Sequence, residues 1–477
     1  MEANRNRMSR RSLLTGLAAV AGTAALAACG ATPTPQVVEK VVEKEITKIV
    51  EGTPVVVKET VVITETQVVE KVVKETAASE GFVTLNAPYS PGYSVELEAF
   101  NRYEELVPNV KIIAPAVPGG TPGYLQRILA DVASGVYPDL WYVQPDYLLV
   151  LLKKDILMDL TPAIEVDNFD LENFMGPGKD SFASEGKIYG LPYACNPWLW
   201  IYNKQLLADK GATDLKELDA AGKWNWDSLA ETAVKCTGGE GADATVGLWT
   251  SYFDWVIYNQ QWLWCNDAQN FSDDLKTCTM DSPEATEALQ YVADLHTKYK
   301  VLPTSAMQQF FSGGFTTGHV GMTMGGRWVF HAMAEMDEPP DAGMVLWSPG
   351  PGGTRATEIG WDGYCIPKQA PHPEEARKLL EWLTGDECQL IYLASSVPFT
   401  KSILESQAFK DSMRPGEDYD VIMQTFSILR NVQAPVGLTE IQNEWKPLSD
   451  AIVLGQKTVD EALTEFVPKA NSILALG

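Results

Sequence analysis

The sequence predicts an alternating α/β protein with more than one core, and three observations carry that expectation. The chain has 477 residues, of which 45% are hydrophobic and 21% charged, enough for two substantial cores. From Gly81 onward, short apolar runs alternate with amphipathic stretches of helical period. A proline or a glycine-containing turn closes those helical stretches, as at Pro108 and Gly135.

The segments before Gly81 have a different character. Residues 1–30 carry four Arg against one Glu, and their apolar run from Leu13 to Ala28 ends at Cys29. This is the pattern of a signal peptide, expected over 1–28, and it is too short for a membrane span. Ser9-Arg10-Arg11-Ser12-Leu13-Leu14 resembles the twin-arginine export signal, and Leu26-Ala27-Ala28-Cys29 resembles a bacterial lipobox. The lipobox implies that Cys29 is lipidated, and two or more acyl chains on one residue give stable anchoring. Residues 29–80 then read as the lipidated cysteine and a low-complexity tether. "QVVEKVVEKE" at 36–45 returns as "QVVEKVVKET" at 67–76, with no aromatic residue between, so the segment cannot build a core. Its β-branched density and Pro33, Pro35 and Pro54 oppose one continuous helix.

Charge excludes one class of partner. Six Lys against nine Glu in 31–80 offset the basic start, so residues 81–477 hold the whole formal charge of −26. A domain so acidic repels phosphate backbones, and no nucleic-acid partner is expected.

Within 81–477, "FVTLNAPY" and "NVKIIAPAV" read as buried strands flanking the helical "YSVELEAFNRYEELVP", a parallel βαβ unit. The helical "YLQRILADVASG" follows, and then the strand Leu140–Val143 runs into a polar loop. Ligands of such sheets sit past the carboxyl ends of strands, which marks Tyr89 and Asp146 as candidates.

Four further stretches carry a specific resemblance: "GKIYGLPYACNPWLWIYNKQLL" (186–207), "AMQQFFSGGFTTGHVGMTMGGRWVF" (306–330), "GWDGYCIPKQAPHPEEARKLLEWLTGDECQ" (360–389) and "TVDEALTEF" (458–466). In this order they resemble the extracellular solute-binding proteins of ATP-driven sugar importers, the group that includes maltose-binding protein. The resemblance implies a two-lobe periplasmic-binding-protein-like fold (type II) with three crossings, closing on a ligand like a hinge. It places one lobe at 81–194 and 362–400 and the other at 195–361 and 401–477. It further implies a sugar ligand, permease subunits of an ABC transporter as partners, a monomer, no cofactor, and residence at the outer face of the bacterial cytoplasmic membrane.

Aromatic residues are the main site signal, because the axial C–H bonds of a pyranose pack flat on a Trp or Tyr face while its hydroxyls need planar polar partners. "WTSYFDWVIYNQQWLW" (249–264) holds seven rings in sixteen residues. Val246–Trp249 reads as a strand and Thr250-Ser251 as the cap of a helix, so Trp249 and Tyr252 fall at a strand-to-helix junction facing a cleft. Trp255, Tyr258 and Trp262 fall on a helical face read as core. By the resemblance, Trp328 after Gly325-Gly326 is the stacking tryptophan, Asp146 a sugar-binding carboxylate, Asn196 a polar contact, and Trp361 and Asp362 cleft residues at the second crossing. Asn196 and Val143 depart from the carboxylate and the aromatic that maltose-binding protein has there. Arg327 is a candidate for an acidic ligand group or, as for Arg355, for salt bridging.

Catalytic patterns fail. His296, His319, His331 and His372 are the only histidines, none in HExxH spacing, and G-x-S-x-G is absent. "GPGG" at 350–353 lacks the Lys-Ser/Thr of a phosphate loop. The alternatives are a binder of another polar or acidic solute, a glycan-acting enzyme or a surface adhesin. Cys265 and Cys278 flank a polar stretch with turn residues and are expected to form a disulfide, with the other cysteines of the exported domain reduced in cores.

Overall fold

The structure, a computed structural model, describes residues 38–50, 53–65, 82–89, 95–117, 120–167, 169–175, 178, 180–304, 307, 311 and 313–476. The expected signal peptide and Cys29 lie outside these residues. The chain falls into two units, Met1–Ala78 and Ser79–Gly477. In the first, β1 (Val38–Val50) and β2 (Thr53–Glu65) pair antiparallel in continuous register from Val38↔Glu65 to Val50↔Thr53. The Val- and Thr-rich composition that opposed a helix suits an extended pairing.

The second unit opens with the expected βαβ. Strands β3 (Val83–Asn86) and β4 (Val110–Ile113) pair in parallel around the helix Val95–Leu106. Ala99, Phe100 and Tyr103 of that helix recur at helical spacing and are buried. Strand β5 (Trp141–Val143) ends at Gln144, and Pro145, with its preset φ, opens the helix Pro145–Lys153.

A short hairpin, β6 (Ala183–Ser184) and β7 (Lys187–Ile188), precedes β8 (Gly190–Pro197), and after Trp198 the chain enters β9 (Leu199–Asn203). Every residue from Gly190 to Asn203 is buried, and the two strands belong to different sheets. Strands β10 (Val246–Leu248), β11 (Val320–Gly325) and β12 (Ala342–Val345) join β9 in one sheet, in the order β10-β11-β9-β12. Strand β13 (Thr357–Cys365) pairs with β8 and β5 antiparallel and with β14 (Leu429–Arg430) in parallel, building the other sheet. Under the β9–β12 sheet lies a core rich in tryptophan, where Trp200, Trp262 and Trp347 meet with ring centroids 5.2–5.9 Å apart. The helices Leu438–Val453 and Val459–Leu474 close the chain against this core through Trp445 and Phe466. Side chains from β3, β5, β8 and β13 fill the other core.

One expected disulfide is absent. Cys265 and Cys278 are both free thiols, as are the other described cysteines, all buried. Cys278 sits in a bridge opposite Phe271, while the Cys265 thiol ends a helix and donates 3.3 Å to the Ala356 carbonyl, so the hairpin ends that meet are not the two cysteines.

Candidate functional site

A cavity of about 200 Å³ lies where β8 and β13 run beside the starts of three helices. Backbone geometry explains its floor. Gly360 in β13 faces the chain at Asn196 and Trp198, and a Cβ there would touch the Asn196 carbonyl at 3.4 Å. The register of β13 against β8 shifts between Asp362 and Gly363, a bulge of the kind that re-aims side chains beside binding sites.

Aromatic rings form one wall. Trp198 lies between β8 and β9, with Tyr258 tilted 30° to it at 5.1 Å and Trp328 edge-on at 5.7 Å. Trp328 reaches this place because the helix Arg327–Ala334 starts at Gly326, where an added Cβ would come within 2.3 Å of the indole. Trp361 faces the same cavity, its Nε1 donating 2.9 Å to Asn431 Oδ1.

Carboxyl groups form the opposite chemistry. Asp146, in the first turn of its helix, Glu358 and Asp362 on β13, and the amide of Asn196 all line the cavity. Asp362 Oδ1 accepts from the Tyr142 hydroxyl and, at 3.0 Å, from Gln144 Nε2. Asp146 Oδ1, Glu358 Oε2 and Asn196 Oδ1 have no hydrogen-bond partner, although Asn196 Nδ2 donates 3.3 Å to Ser396 Oγ. Burial pushes the Asp146 carboxyl up to about 7, with Asp362 adding to the rise. Burial likewise raises Glu358 to about 8, helped by the charge of Asp146, and raises Asp362 against the hydrogen bonds of Tyr142 and Gln144. Among the described residues that line the cavity there is no lysine, arginine or histidine.

The structure therefore brings together Asp146, Asn196, Trp328, Trp361 and Asp362 of the sequence candidates, and separates the others. Arg327, the neighbour of Trp328, is turned into the protein. Its guanidinium pairs with Glu417 through Nε at 2.7 Å and Nη2 at 2.8 Å, and donates to the carbonyls of Leu393, Ser396 and Ser412, which occupies all five donors. Arg355 likewise pairs with Asp219. Trp249 and Tyr252 line a different cavity, of about 570 Å³, with His296 and Lys446. The expected helix cap fails there: Thr250 Oγ1 accepts from the Tyr252 amide, Tyr252 takes a left-handed φ of 51°, and the helix begins only at Val256. Tyr252 still meets Trp198 at 5.2 Å, from behind the aromatic wall. Tyr89 forms a bridge with Ala116 and is not among the residues lining either cavity.

The late helix start also corrects Tyr258. Starting at Val256 puts Ile257 and Tyr258 in the first turn, at the cavity mouth, while Trp262 one turn on is fully buried with Nε1 donating to the Ser251 carbonyl. Trp198, Tyr258 and Glu358 were thus missed. A signal for Glu358 existed: it stands four residues before Asp362 in one strand, and alternation puts both on one face.

Comparison with known proteins gives a consistent result. A family model for bacterial extracellular solute-binding proteins matches residues 98–414. A protein of Brucella abortus named as a binding protein is 24% identical over 358 residues, 73% of this chain and 83% of its own. The maltooligosaccharide ABC transporter solute-binding lipoprotein of Streptococcus pneumoniae is 21% identical over 79% of this chain and 85% of its own. Among solved structures, an ABC substrate-binding protein of Listeria monocytogenes in complex with cycloalternan superposes with a TM-score of 0.72 at 22% identity, over 82% of this chain and 98% of that one.

Proposed function

Because this chain belongs to the bacterial extracellular solute-binding protein family, we propose that it captures a sugar or oligosaccharide between two lobes and delivers it to the membrane subunits of an ABC importer. The observation that carries the sugar reading is the pairing, in one cavity, of an aromatic wall with acceptor oxygens that nothing in the protein satisfies. Trp198, Tyr258 and Trp328 offer flat apolar surface to the C–H face of a pyranose, and Asp146, Asn196 and Glu358 offer acceptors to its hydroxyls. The similar Streptococcus pneumoniae protein is named for maltooligosaccharide, and the similar Listeria monocytogenes protein is in complex with cycloalternan. The protein acts by binding and release, without chemistry on the ligand, and as a monomer.

The lobes are taken as 81–194 with 362–400 and 195–361 with 401–477, the first reached by the Val/Glu/Lys-rich tether from a lipidated Cys29. Cys29→Ser in the full chain is expected to leave the membrane fraction; unchanged membrane association would remove the anchor. Capture is tested by thermal unfolding across a saccharide library, where a ligand at a hundred times its Kd adds about 2.7 kcal/mol of stability. A shift with polar solutes that are not sugars, and with no saccharide, would overturn the sugar assignment.

A further inference from the structure

Three carboxyl groups line the cavity and no basic side chain does among the described residues, which bears on the ligand class. Asp146, Glu358 and Asp362 converge on one space of about 200 Å³. Asp362 is held by Tyr142 and Gln144, but Asp146 Oδ1 and Glu358 Oε2 have no donor. Glu358 is 6% exposed and Asp146 half-buried, but both unpartnered oxygens are themselves buried, so water does not substitute freely for that donor. Buried carboxylates close to one another repel, and either a proton or a cation must compensate them. A hydroxyl donates one hydrogen bond and no charge. An ammonium donates three and supplies the charge. It is also attracted to the faces of aromatic rings, and Trp198, Tyr258, Trp328 and Trp361 surround this space. An anionic ligand finds no counter-charge, since no basic side chain lines the cavity among the described residues and Arg327 is consumed by Glu417.

We propose that the preferred ligand is a saccharide bearing a protonated amine, bound with the ammonium between Asp146 and Glu358 and the ring against Trp328. This rests on the sugar-capture reading and narrows it. The aromatic wall recognises the ring, and the unpartnered carboxylates choose between an amine and a hydroxyl on it. Asn196 Oδ1 then accepts from a hydroxyl of the same ring.

The test is calorimetric titration of the intact domain with two matched sets: glucosamine, N-acetylglucosamine and glucose, and their β-1,4-linked dimers. The amino member of a set is expected to bind at least about tenfold tighter than its hydroxyl and N-acetyl counterparts. Glu358→Gln, nearly isosteric, is expected to remove that preference, bringing the ratio of amino to neutral affinity down to about one whatever the change in the neutral affinities themselves. Asp146→Asn gives the same readout should Glu358→Gln fold poorly. Neutral members binding as tightly as the amino member, or a preference that survives both substitutions, overturns the inference and leaves sugar capture standing. No binding by either set also overturns it, and whether sugar capture falls too is then read from the saccharide library.

Discussion

Two groups of buried charge lie close together in this protein and differ in one respect. Arg327 and Glu417, 1% and 0% exposed as side chains, satisfy each other, and every remaining donor of the guanidinium ends on a carbonyl. Asp146, Glu358 and Asp362 have no opposite charge at all, and two of them present bare oxygens to a cavity. A buried charge that is fully paired is structural, since any ligand would have to compete with an existing ion pair. One that is unpaired either keeps a proton or takes its counter-charge from outside. The two groups are also connected: Ser396, whose carbonyl takes a hydrogen bond from Arg327, receives Asn196 on its hydroxyl, and Arg327 opens the helix that sets Trp328.

The contrast can be broken from the paired side first, where the largest effect is expected. Arg327→Ala leaves the buried Glu417 carboxylate with only the Arg414 amide at 2.8 Å and the Arg414 guanidinium at 3.8 Å, and the domain is expected to lose about 3 kcal/mol in denaturant unfolding. A loss under about 1 kcal/mol would mean that the pair does not hold the helix start. On the unpaired side, Glu358, raised to about 8, holds its proton at neutral pH, so Glu358→Gln is expected to leave the ligand-free protein as stable as the parent there and more stable than the parent above pH 8.

A smaller effect sharpens the same difference. Glu358, raised from the ordinary 4.5 to about 8, binds its proton more tightly folded than unfolded. Its contribution to stability is therefore complete below pH 4.5 and is lost as pH rises through about 8. Ligand-free protein is expected to melt a few degrees higher at pH 6 than at pH 8, with Glu358→Gln reducing the trend to the part that Asp146, raised to about 7, supplies. A melting temperature that rises with pH over this window, and equally in Glu358→Gln, would mean that Glu358 is already compensated.

How much of this was legible beforehand follows from what each signal measures. Periodicity reports which face is buried, and it located β3, β4, β5 and the helix Val95–Leu106. Gly325-Gly326 before Trp328 marks a place without room for a side chain, and in the structure a Cβ at Gly326 would come within 2.3 Å of the Trp328 ring. Tyr258 lines the cavity instead of the core, and Tyr252 lines a different cavity, because one residue in a left-handed conformation delays the helix, and a tyrosine rarely advertises that conformation. Arg327 could not be resolved from sequence, since its partner Glu417 is ninety positions away. The expectation for Cys265 and Cys278 failed because turn residues announce a hairpin without giving its register. Glu358 was missed for a plainer reason: a carboxylate in a strand reads as a solvated face until its surroundings are known.

The most direct test of the cleft assignment compares two tryptophans packed in or against one core by calorimetric titration beside thermal unfolding, with whichever saccharide the library identifies. Trp328→Ala removes a cavity wall and is expected to weaken binding by about 2–4 kcal/mol, roughly 30- to 1000-fold, with the fold intact. Trp262→Ala opens a hole in the core, and is expected to cost about 3–5 kcal/mol of stability while the folded fraction binds almost as the parent does. If Trp328→Ala binds as tightly as the parent, the aromatic wall is not where the sugar sits, and the cavity between β8, β13 and the helix starts is not the capture site.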